Sequence, residues 1–384
     1  MANTLTNLTP DLFEAMDVVS RELVGLIPAV SRDSSLERAA VNQTVRSFVA
    51  PASTAASISP GQLAPDTGNQ TIGNKTISIS KAYGVPVRWN GEEQVGMNSG
   101  PGYQNILRDQ FAQAMRVLCN TVEADLASLY YKASRAAIPA GTTLFDAANY
   151  KDVANVRRIL AENGAPLNDM CLVLNPLAGA AFRGNAQNYS YQNAGDVGFL
   201  RQGELMNIHG MNIRESQQIT SATAGTASSA TTNNAGYAVG ATVLTLASAG
   251  TGTILAGDVI SFAGDSNYYV VTSGDADVSN GGTITIAEPG LKVAMSAATK
   301  AITVNASTDK NMAFSRNAIH LVTRAPARPI EGDSASDVMM LQDPRSGLGF
   351  EVALYKEYRQ VHFEISMAWG YEVIKPEHLC LLVD

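Results

Sequence analysis

Apolar residues recur at steps of three and four along residues 9–27. Leu12, Phe13, Met16, Val19, Leu23, Leu26 and Ile27 fall on one face, and Pro28 ends the run. Thr9 as N-cap, Pro10 at the first helical position and Asp11 at the positive end of the dipole predict where this helix starts. The strongest helical stripe runs from about Tyr103 to Arg135, through Leu107, Phe111, Met115, Leu118, Val122, Leu126 and Leu129. A heptad coiled coil is the alternative, but the stripe drifts and lacks opposite charges at the edge positions. The pattern therefore predicts one helix of about 50 Å lying across a sheet. A shorter helix over 150–163 stops at Gly164 and Pro166.

Two-residue alternation marks 41–49 and 75–89 as strands. Between them, 51–74 is rich in Pro, Gly, Ser, Thr and Ala and carries a single charge, Asp66. This predicts a long two-stranded hairpin with an irregular tip. Neither an isolated ribbon nor an isolated helix of this length is stable in water, so both want an external surface. A buried strand follows at 171–174, then a turn and helix from Asn175-Pro176. From about Ser221 to Lys310 arginine disappears and Thr, Ala, Ser and Gly dominate. Short β runs at 242–246, 258–262, 268–271, 283–286 and 301–304 there predict a small β-barrel or sandwich. Runs at 319–322, 338–341, 350–354 and 361–373 then resume the earlier composition. The β segment thus reads as an insertion into an α+β host.

Composition sharpens this picture. Of the 384 residues only 16% are charged, against roughly 25% in ordinary soluble domains. The net charge of −8 argues against a sequence-independent nucleic-acid binder. Residues 41–89 carry Arg46, Lys75, Lys81 and Arg88 against Asp66, a net of +3 that leaves −11 on the rest. A basic arm therefore has an acidic body to lie on. The N-terminus shows no export signal, and no apolar run reaches the length of a membrane span. Cys119, Cys171 and Cys380 sit singly in apolar stretches and read as reduced core residues.

Candidate chemistry is sparse. The chain lacks the nucleophile-elbow, phosphate-loop, HExxH and paired CxxC patterns. Gly250-Thr251-Gly252 has no third glycine in place for a dinucleotide fingerprint. His209, His320, His362 and His378 are isolated, Glu92-Glu93 reads as solvated loop, and Met339-Met340 as sheet core. Asp275 and Asp277 share a glycine turn without the regular spacing of a calcium loop. No catalytic residue, cofactor or metal is assigned.

The order of parts resembles that of tailed-bacteriophage major capsid proteins with the Hong Kong 97 fold, in the podophage coat-like subgroup carrying an inserted β-barrel. Local stretches support it: Gly257-Asp258-Val259-Ile260-Ser261-Phe262-Ala263-Gly264, Asn317-Ala318-Ile319-His320-Leu321-Val322, and Ala368-Trp369-Gly370-Tyr371 with Lys375-Pro376-Glu377. The resemblance implies an N-terminal arm (1–40) and an extended loop with its return (41–100). It implies a peripheral domain (101–170 plus 355–384), an axial domain (171–221 plus 311–354) and an inserted β-barrel (222–310). It also implies self-assembly through pentamers and hexamers into an icosahedral shell around double-stranded DNA, contacted non-specifically. Scaffolding, portal and decoration proteins are the implied partners, with assembly in the bacterial cytoplasm and residence in the virion. Phe13, Met16, Leu23, Arg46, Lys75, Lys81 and Arg88 are the expected contacts between subunits. The alternatives are a non-viral encapsulating shell of the same fold and a secreted β-rich adhesin; an enzyme reading comes last.

Overall fold

The computed structural model describes residues 5–23, 25–49, 73–97, 103–139, 143–145, 150–185, 207–306 and 309–383. The expected hairpin tip and the Ser99-Gly100-Pro101-Gly102 break lie outside them. In chain order the elements are α1 (Leu5–Glu22), β1 (Ser31–Ala39), β2 (Thr44–Val49), β3 (Gly73–Ser78), β4 (Lys81–Asn90), α2 (Gly91–Met97), α3 (Tyr103–Ala127), β5 (Arg135–Ala137), α4 (Lys151–Glu162), β6 (Met170–Leu174) and α5 (Pro176–Gly184). Then come β7 (Asn207–Ile208), β8 (Met211–Glu215), β9 (Val243–Leu246), β10 (Val259–Phe262), β11 (Tyr268–Ser273), β12 (Gly282–Ile286), β13 (Ile302–Asn305), β14 (Lys310–Ser315), β15 (Ile319–Pro326), β16 (Ala335–Gln342), β17 (Gly349–Glu357), β18 (Gln360–Val373) and β19 (Leu379–Val383).

Two sheets share the long helix α3. In the first, β18 pairs β17 and β15 along one side and β4 along the other, while β1 and β16 pair outward to β15 and β17. Phe363, Ile365, Met367 and Trp369 of β18 pack under Phe111, Met115 and Leu118 of α3. The second sheet centres on β19, β14, β6 and β8. Alternate residues of β6, β14 and β19 face opposite ways: Cys171, Val173, Met312, Phe314, Leu379 and Leu381 join the α3 core. Leu172, Leu174, Ala313, Cys380 and Leu382 meet Val153, Val156, Ile159 and Leu160 of α4 instead. Burial on both faces explains the unbroken apolar runs of these strands.

Several expectations are corrected. Helix α1 begins at Leu5, so Thr9 and Pro10 lie inside it. Pro10 forgoes one main-chain hydrogen bond, which burial of Leu12, Met16 and Val19 against α3 outweighs. Helix α3 stops at Ala127, runs into a 3-10 turn (Ser128–Lys132) and spans about 37 Å, not 50 Å. The run 75–89 is two strands: β3 pairs β2 in the arm, and β4 joins the β18 sheet. Strand β1, whose sequence is mostly polar, pairs in parallel with β15. Glu93 is no loop residue; it and Asn90 exchange hydrogen bonds at the start of α2.

Segment 222–306 has its own apolar cluster, built on Leu244, Leu246, Ile260, Phe262, Tyr269, Val271, Ile284, Ile286 and Ile302. It is also stitched to the host sheet, because Tyr268 and Tyr269 of β11 pair with Ala136 and Arg135 of β5. The ladders do not follow the domain limits drawn from the sequence. A boundary at 354/355 cuts β17, which is joined to β18 by the tight turn at Tyr358-Arg359. Strands β15 to β17 share the β18 sheet, whereas β5 and β19 belong with β6 and β14. Lys310 is already part of β14, opposite Val383.

Candidate assembly surfaces

The arm ladder β2–β3 runs from Thr44↔Ser78 to Val49↔Gly73 and, among the described residues, has no other strand paired with it. Its root is fixed to the body. Ile77 and Ile79 are buried with Ala39, Val322, Ala368 and Ile374. The Lys75 ammonium donates to the Ile374 carbonyl at 2.7 Å. Lys81 Nζ donates to Asp125 Oδ1 at 2.6 Å, and the buried Trp369 indole donates to Asp125 Oδ2 at 2.8 Å. Tyr83 packs edge-on to Trp369, with ring centres 5.3 Å apart. Donation of its hydrogen bond to the Asp125 carboxylate holds the Lys81 pKa above its ordinary value. Of the four arm cations, then, Lys75 and Lys81 bind their own chain, whereas Arg46 and Arg88 are exposed.

The N-terminal helix is equally divided. Met16 is buried in the chain's own core and Leu23 packs against it, while Phe13 is 45% exposed. Arg108 pairs with Glu14 at 3.0 Å and Arg116 with Glu22 at 2.6 Å, fastening α1 along α3. Beyond the helix, the buried Glu123 of α3 accepts the Leu26 and Ile27 N–H groups at 2.9 and 2.8 Å and the Ser216 hydroxyl at 2.9 Å. A Cβ at Gly25 would lie 2.8 Å from Glu123 Oε2, so only glycine lets the chain approach this carboxylate.

Two surface features escape pattern reading because each is a single residue at a loop tip. Ile330 is fully exposed in a loop held by Arg328, which pairs with Asp333 at 2.9 Å and with Glu351 at 2.8 Å. Tyr358 is 88% exposed at the β17–β18 turn. Beside that turn a cleft of about 720 Å³ is lined by Trp89, Glu92, Gln94, Lys356, Arg359 and Gln360. A second groove, about 450 Å³, lies between β4 and α3 and is lined by Val85, Val87, Ile106, Ala114 and Val117, with Arg88 and Asp109.

The residues singled out for chemistry do not converge. Cys119, Cys171 and Cys380 are free and buried, and burial pushes the Cys119 thiol up to about 12. His320 and His378 have pKa values lowered by burial; His209 lies on a turn. Asp275 and Asp277 bind their own turn's N–H groups. Among the described residues no three His, Cys, Asp or Glu side chains group as metal ligands, and no helix is long and apolar enough to cross a membrane. Met339 is half-buried against the core, over which Thr9 of α1 lies.

No protein-family model matches the sequence, and no curated protein does. Solved structures do resemble the chain. The capsid structure of the Cyanophage P-SCSP1u aligns with a TM-score of 0.50 at 13% identity, covering 94% of this chain and 88% of that one. A chain of Mycobacterium phage Che8 aligns at 0.47 and 12% identity over 89% and 84%. The virus-like particle from Pyrococcus furiosus aligns at 0.45 and 11% identity over 97% and 98%. At such identity the first of these establishes a likeness of fold, and the mixed α/β architecture is similar to that of a phage capsid protein with the Hong Kong 97 fold.

Proposed function

We propose that this chain is the major subunit of a tailed-phage capsid, tiling a closed icosahedral shell around double-stranded DNA. The observation that carries the reading is the fold shared along nearly the whole chain with a cyanophage capsid structure. The two-stranded arm supports it, because a ribbon of this kind gains stability from a neighbour. In this reading the peripheral domain is built on α3 and the β18 sheet. The axial domain is the β6–β14–β19 sheet with α4 and α5, gathered around the symmetry axes. Residues 222–309 form an inserted β domain of the podophage coat type. Phe13, Arg46 and Arg88 reach neighbouring subunits, while Met16, Leu23, Lys75 and Lys81 hold the arm and the first helix to their own. Scaffolding, portal and decoration proteins are the partners, and the virion is the location. The net negative charge confines the genome without gripping it. The chain performs no catalytic step.

Co-expression with a scaffold and negative-stain microscopy tests this. Uniform closed particles are expected; monomers or small oligomers under every condition would overturn it. Particles loaded with an enzyme rather than a genome would instead identify a non-viral shell. Replacing Arg46 and Arg88 by alanine should lower particle yield, most at low salt, and leave the subunit's melting temperature unchanged, since exposed charges contribute about 0–1 kcal/mol to a fold.

A further inference from the structure

Between Glu215 and Asp258 the sequence contains no charged residue at all, the longest such stretch in a chain of net charge −8. Strand β9 lies within it and pairs antiparallel with β12 through Val243↔Thr285, Leu244↔Ile284 and Thr245↔Thr283. Leu244, Leu246, Ile284 and Ile286 point into the local core. Val243, Thr245, Thr283 and Thr285 therefore share the opposite face, with Val243 53% exposed. At one end of this face the stretches 237–241 and 291–295 run together, joined at Tyr237↔Met295 and by Gly240 donating to Leu291. Between those rungs stand Val239, 62% exposed, and Val293, 45% exposed. Charge stands at the edges, where the Asp275 carboxylate lies against Gly282 at the start of β12. Glu288 is exposed, and Lys292 is drawn away, its ammonium 3.3 Å from the Glu162 carbonyl.

We infer that this uncharged β9–β12 face is a contact between two copies of the chain, each presenting the same face to the other. The inference rests on the capsid reading and adds to it a particular surface. In a two-fold contact, residues near the axis meet their own counterparts, so any charged side chain there faces its like. A patch of valine and threonine escapes that penalty, and a threonine hydroxyl both donates and accepts, so it can pair with its own copy. A core without charge inside a polar rim is also the composition of protein interfaces.

Charge reversal in the full-length chain tests the contact. Val243→Glu and Val243→Lys each place like charges across the axis and should each weaken association about tenfold or more, read as particle yield and by sedimentation. Val243→Thr should assemble normally. An equimolar mixture of the Glu and Lys variants should restore assembly, which a folding defect would not allow. Val293→Glu, outside any strand, repeats the test where the ladder cannot be disturbed. If the Glu variants assemble like the wild type, or the mixture is not rescued, the contact is overturned while the capsid reading stands; the face is then open to a decoration protein. A wild-type chain that forms no particle overturns both.

Discussion

Glu123 and Lys81 are each held by partners far away in sequence, with opposite electrostatic signs. Burial raises the Glu123 pKa, and its bonds from Leu26, Ile27 and Ser216 recover only part of that shift. A carboxyl raised in the folded state contributes stability below its unfolded pKa and loses it as pH rises through the folded one. Glu123→Gln keeps an acceptor and removes the charge, so it should flatten this decline in melts from acidic to neutral pH. Glu123→Ala strands two buried N–H groups and should cost about 2–4 kcal/mol in denaturant titrations. Lys81, raised by Asp125, contributes stability below the ordinary lysine pKa and loses it only in strong alkali. Lys81→Ala leaves the buried Asp125 with Trp369 alone and should cost about 1–3 kcal/mol. The sequence marked Lys81 as a cation on an arm, but its side-chain partner Asp125 lies 44 positions away and its ladder partner Trp369 288, beyond any local pattern.

At the scale of elements, apolar period was a sound guide wherever a segment has a buried face. Helix α4, the start of α3 and strands β6, β9 to β13 and β15 to β18 fall close to their expected places, whereas β14 and β19 were not anticipated. It failed where position is set by a neighbour. Strand β1 reads Ser-Arg-Asp-Ser-Ser-Leu-Glu-Arg-Ala, and is held by parallel pairing with β15 and by Arg324 donating to Asp33 at 2.9 Å. The stripe beyond Ala127 keeps its apolar residues, yet the backbone tightens into a 3-10 turn before entering β5. The break between β3 and β4 occurs where Ser80 donates to the Trp369 carbonyl at 3.0 Å. There the backbone passes so close that a Cβ on Gly370 would stand 2.2 Å from the Ser78 oxygen. Gly370→Ala should therefore destabilise the fold by about 1–3 kcal/mol or more and loosen the arm root, which proteolysis between β3 and β4 would detect.

For the molecule as a whole, the β segment was legible from its loss of arginine and its glycine turns, but its attachment was not. Arg135, only 2% exposed, donates to Asn267 at 3.0 Å and to Glu162 at 2.9 Å, tying β11's approach to α4. Excision of 222–309 with a short linker should thus leave both host sheets in place, at a lower melting temperature. Circular dichroism that loses the host strand signal as well would show the segment to be integral. The parallel partnership of β1 with β15 has a further consequence, concerning synthesis. Strand β1 and the arm root leave the ribosome well before their partners β15, Trp369 and Ile374, the last of which follows Lys75 by 299 positions. Contacts of such long range form late in folding. A polypeptide cut short before Trp369 therefore cannot seat its own arm, and synthesis through Ile374 becomes a condition for joining any larger structure.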